Sequence, residues 1–198
     1  MTATSDMTDS LTLSLFEFIV GMISVILALA VAELFLGVSR LVENRARVRY
    51  FLAQSVWIVN LFLFTFLHWW SLWTFRNLSW NFGMFFFSLL APSLMFFATT
   101  LINPRNLTEA KIDLAVYFLD IRKLFLTVVA AMMILSSLDG PLFGTEPAFS
   151  GLRAVQIIII ALPVWGFLSD SRRIQSAIAL AVLASLCANV MFRFLPGQ

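Results

Sequence analysis

"LFEFIVGMISVILALAVAELFLGV", residues 15–38, is an apolar run interrupted by two carboxylates, and its reading decides the fold. As a helix it is long enough to cross the ~30 Å of a bilayer's hydrocarbon. Ala30-Val31-Ala32 within it has the small-x-small pattern of a signal-peptide cleavage site. The flanks argue against cleavage. "MTATSDMTDS" ahead of the run carries two aspartates and no Lys or Arg, whereas a signal peptide begins basic. The positive charge follows instead, at Arg40, Arg45, Arg47 and Arg49. The segment is therefore expected to stay in the protein as a membrane span.

The rest of the chain agrees. Of 198 residues, 61% are hydrophobic and 12% charged, against roughly 45–50% and 25% in ordinary globular chains. Twenty-one phenylalanines add apolar surface that a soluble domain of this size has no core to hide. The expected class is an all-α integral membrane protein folded as one domain over 1–198. Spans are expected at about 15–38, 50–75, 82–102, 108–138, 152–168 and 174–194. The fourth is short in its apolar part, 124–138. It is read as borrowing length from "TEAKIDLAVYFLDIRK", 108–123, with Asn106 or Thr108 as N-cap. The Gly- and Pro-rich "DGPLFGTEPAF", 139–149, reads as a connecting loop.

Lys and Arg set the expected orientation. Alternate connections hold Arg40, Arg45, Arg47 and Arg49; then Arg105, Lys111, Arg122 and Lys123; then Arg172 and Arg173. The other side holds Arg76, Arg153 and Arg193. Positive charge favours the cytoplasm, so six spans leave both termini outside. The composition resembles that of short bacterial inner-membrane proteins, which makes a multi-pass plasma-membrane location the expectation. The basic residues read as topological anchors, and no nucleic-acid partner is expected.

Several chemistries find no support. There is no phosphate-binding loop, no H-E-x-x-H pair, no G-x-S-x-G elbow and no T-V-G-Y-G filter. One histidine and one cysteine, Cys187, cannot build a His-based triad or a multi-imidazole metal site within one chain. No enzyme activity, metal or cofactor is expected. The exception weighed is haem held axially by His68, which needs a second ligand from elsewhere.

What remains is polar groups at membrane depth, which are functional candidates because they are costly there. In the first span Glu17, Gly21, Ser24 and Ala28 share one face. Ala30, Glu33, Gly37 and Arg40 share nearly the opposite one. Small residues on both faces predict a central helix packed on two sides. Arg40 is two turns past Glu33 and within reach of it, so the two either form a pair or leave Glu33 as a proton or cation site. Ala177, Ala181, Ala184 and Ala188 form a small-residue packing stripe in the last span. Gln54, Asn60, Gln156 and Asn189 read as hydrogen-bonding glue between helices. Pro92 and Pro163 lie mid-span, where they kink a helix and open space. Asp120, Arg122 and Lys123 read as mutually paired or in contact with lipid headgroups.

"FLHWWSLWTFRNLSWNF", 66–82, gathers Trp69, Trp70, Trp73 and Trp80 at the outer end of the second span, as an interfacial belt does. His68 lies deeper than that belt and needs a partner. Three functional readings follow: a small channel or carrier for an ion or solute, an accessory or scaffold subunit including a homo-oligomer, and a haem- or quinone-binding subunit.

Overall fold

The protein is described by a computed structural model covering residues 2–105, 111–145 and 151–194. Six α-helices carry it: α1 (Thr2–Glu43), α2 (Leu52–Ser71), α3 (Phe82–Ile102), α4 (Leu114–Leu142), α5 (Gly151–Leu168) and α6 (Arg172–Phe194). A 3-10 turn, Leu72–Phe75, extends α2. α1, α2, α3 and α6 are long and apolar enough to cross a membrane. The chain is thus mostly helical and compatible with a multi-pass membrane protein.

The helices form a closed ring of neighbours. α3 packs along α1 and α4, α4 along α5, α5 along α6, and α6 along α2, which returns to α1. α2 also touches α3 and α4. Its centre is held by aromatic edges: Trp57 of α2 meets Phe125 of α4 at 5.4 Å between ring centroids, and Phe51 meets Phe118 at 5.6 Å. Such pairs contribute about 0.5–1.5 kcal/mol beyond the area they bury.

The expected central role of the first helix is corrected. Half of the apolar window of α2 is buried, against 28% for α1. α1 buries one stripe, Phe16, Ile19, Ile23, Leu27, Ala30, Leu34, Gly37 and Leu41, at helical spacing. Glu17, Gly21 and Ala28 are exposed, and a Cβ added at Gly21 would meet nothing within 4 Å. Gly37 is the reverse. A Cβ there would overlap the side-chain amide of Asn103, so only glycine lets the C-terminal end of α3 lie this close.

α6 is corrected likewise. It packs through Gln175, Ile178, Ala179, Val182 and Leu186. Ala177, Ala184 and Ala188 are exposed and Ala181 is half-buried. At 100° per residue the alanine stripe lies roughly 145° around the helix from the packed one. No helix among the described residues covers it.

α4 begins later than expected, at Leu114 rather than near 108. Ile112–Asp113 form a parallel two-residue bridge with Val48–Arg49, and extended backbone there forbids an earlier helical start. Asp113 caps α4, its Oδ1 accepting from the backbone N–H of Ala115 at 2.8 Å and of Val116 at 3.4 Å. Asn106 and Thr108 lie outside the described residues. At its other end α4 runs through Asp139-Gly140-Pro141, the start of the expected loop. It closes one turn later on Gly144, in the left-handed region at φ 71°. Thr145 N–H donates to Gly140 O and Gly144 N–H to Pro141 O, the paired bonds of a glycine C-cap.

The basic connections meet at one end of the bundle. The α1–α2 and α3–α4 connections pair as the two-residue sheet, and Arg122 at the start of α4 makes an ion pair with Asp170 between α5 and α6. At the other end Phe143 packs edge-on against Phe75, Trp80 and Phe87 at 5.3, 5.8 and 6.1 Å.

Candidate functional site

Among the described residues, most polar side chains at the basic end are consumed by helix ends. Carbonyls in the last turn of a helix lack intrahelical partners. Gln54 of α2 donates to Ile102 O at 2.7 Å, and Tyr117 of α4 to Leu101 O at 2.8 Å. Asn103 donates to Thr99 O and, across to α1, to Glu33 O, at 3.1 and 3.0 Å. Gln175 of α6 caps α5 through Gly166 O at 2.6 Å and Ser169 O at 2.7 Å. Deeper in, Asn60 donates to Ala179 O of α6 at 3.0 Å. Gln54 and Asn60 therefore bond between helices, as their placement implied.

Some charged groups here are also engaged. Glu33 Oε1 accepts from Arg40 at 3.1 Å, one of the two arrangements read from the sequence, and Arg40 donates a second bond to Leu36 O. Lys123 lies over the Phe167 ring at 5.6 Å.

The other half of the bundle is built differently. The stripe of α2 that faces its neighbours runs Gln54, Trp57, Ile58, Leu61, Thr65 and His68. The same period turns Trp69 and Trp73 outward; Trp70 is also more than half exposed but borders the same cavity as His68. His68 is 8% exposed, and its Nε2 has no hydrogen-bond partner among the described residues. It lines a cavity of about 180 Å³ between α2, α4, α5 and α6. Met132, Met133 and Ser136 of α4, Gln156 of α5, and Ser185 and Asn189 of α6 share that lining. Gln156 Oε1 is likewise buried and unpartnered among the described residues. Ser185 bonds back to its own helix. No charged side chain lines the cavity.

The structure thus separates the sequence candidates. His68 lines the cavity; Glu33, Arg40, Asn60 and Glu17 do not. Gln156 and Asn189, read as glue, are cavity residues instead. Pro92 and Pro163 are buried inside α3 and α5 and stand outside the lining. Trp80 is corrected from the belt: it is half-buried, packed on Phe143, with its Nε1 shielded from solvent. Trp69 keeps its place at the surface, but its Nε1 donates to Ser24 Oγ of α1 at 2.9 Å.

The serines went unremarked in the sequence. Ser136 and Ser185 join His68 only once α2, α4 and α6 are brought together. Asp139 was hidden by its Gly-Pro neighbours; it lies in the last turns of α4, 7% exposed, with an unpartnered buried Oδ1. Among the described residues no group of three His, Cys, Asp or Glu side chains comes together to hold a metal. No family model, curated protein or solved structure matches this chain.

Proposed function

We propose that this is a six-span protein of a bacterial inner membrane, both termini outside, that carries a small uncharged polar solute through the His68 cavity. Four long apolar helices and the gathering of the basic connections at one end support the topology. The observation that carries the functional reading is the pair of unpartnered buried atoms, His68 Nε2 and Gln156 Oε1, lining one cavity. A buried polar atom without a partner costs about 1–3 kcal/mol, and a bound molecule that supplies the partner recovers it.

The lining defines the ligand chemistry. Gln156 Oε1 only accepts, so the solute must donate a hydrogen bond. Without a charged wall at membrane depth, a charged solute goes uncompensated. The volume suits a molecule of a few heavy atoms. The Glu33–Arg40 pair supports α1 and takes no part in the path.

Osmotic swelling of proteoliposomes in urea, glycerol or acetamide tests this. At least one solute should enter several-fold faster than into protein-free vesicles, and His68→Leu should return the rate to background. Entry unchanged by His68→Leu removes the cavity from the path.

A second reading is favoured by the uncovered stripe Ala177, Ala181, Ala184 and Ala188: an accessory subunit or homo-oligomer joined through α6. Mass measurement in mild detergent discriminates, a monomer counting against it.

A further inference from the structure

We propose that the groove beside the α3–α4 connection holds the phosphate of an anionic phospholipid. This rests on the chain being embedded in a bilayer and not on the His68 cavity. The groove, of about 780 Å³, lies where α3 ends and α4 begins. Its walls include Arg105 and Lys111 from the connection, with the apolar Phe97 of α3 and Val116 of α4 beside them.

The charges do not cancel within the described residues. Asp113 also lines the groove, but its Oδ1 caps α4 and its Oδ2 lies 3.7 Å from Arg49. Arg122 is held by Asp170, and Lys123 lies over Phe167. Arg105 and Lys111 are exposed and form no ion pair among the described residues. Glu109, between them in sequence, lies outside those residues. Two cations with no described ion-pair partner at a helix end, beside an exposed apolar wall, match a lipid in both parts: the phosphate at the cations, acyl chains along Phe97 and Val116. A soluble phosphate would leave the apolar wall unused, which favours the lipid.

The test uses the full chain in nanodiscs of mixed phosphatidylglycerol and phosphatidylcholine, with retained lipid counted by native mass spectrometry. The wild type should retain phosphatidylglycerol preferentially. Taking about fivefold in affinity for each cation held against the bound phosphate, Arg105→Gln with Lys111→Gln should weaken retention by roughly 25-fold. Arg105→Lys with Lys111→Arg should keep the preference. Arg45→Gln with Arg47→Gln, which removes the same charge outside the groove, should change retention less than twofold. Equal retention of the two lipids, equal loss in the Arg45/Arg47 control, or displacement of the lipid by millimolar glycerol phosphate would each overturn the proposal.

Discussion

The two ends of this bundle place their buried polar side chains against different surroundings. At the basic end, Gln54, Asn103, Tyr117 and Gln175 each donate to the carbonyls that close α3 or α5. Gln54, Asn103 and Gln175 also keep a buried amide oxygen without a described partner, so what sets His68 and Gln156 of the other half apart is that their unpartnered atoms line one cavity between α2, α4, α5 and α6. A polar group that satisfies its neighbours is architecture. One whose unpartnered atom lines the cavity is, in the proposed reading, a binding group. The contrast sorts polar residues by what they touch, where residue type alone did not.

The first way to break this contrast is to disturb the tight end. Gly37→Leu drives a side chain into Asn103 and should cost about 3 kcal/mol or more, seen as loss of the folded peak in detergent chromatography. Retention of wild-type thermal stability would mean that α1 and α3 are not in close contact.

Gln54→Leu keeps the volume but strips Ile102 O of its partner. It should lower stability by about 1–3 kcal/mol and leave solute entry per folded molecule unchanged. Gln156→Leu is its counterpart in the cavity. Stability should stay at or above that of wild type, because an unpartnered buried oxygen is removed, while solute entry falls to background. If the two variants behave alike in both assays, the distinction between the ends fails.

The smallest effect is expected at the residue that stands out most in the sequence. Glu33→Gln weakens a partly exposed pair worth about 0–1 kcal/mol, and solute entry should be unchanged. A fall in flux on this substitution would restore Glu33 to the pathway.

Span limits were legible where local chemistry sets them. The third span was expected at 82–102, and α3 has those bounds because Asn81 caps its start through Met84 N–H and Asn103-Pro104 ends it. The start of α4 was not legible, because a bridge to Val48, far away in sequence, holds Ile112 extended. The packed face of α1 was hidden for a different reason. In lipid both sides of a helix are apolar, so periodicity loses the contrast that marks a buried stripe in water. Small residues at Gly21 and Gly37 look alike in the chain, and only Gly37 has a neighbour. For the site, the depth of His68 was visible, but Gln156, Ser136 and Asn189 become its companions only through the ring order of the helices.

His68 is the only histidine, so protein labelled with ¹⁵N-histidine reports a single imidazole. In nanodiscs, the Nε2 resonance should shift when the solute that enters vesicles fastest is added, and the shift should saturate with concentration. Gln156→Leu should weaken that titration. An Nε2 signal that stays fixed across the full range of a transported solute would contradict the account.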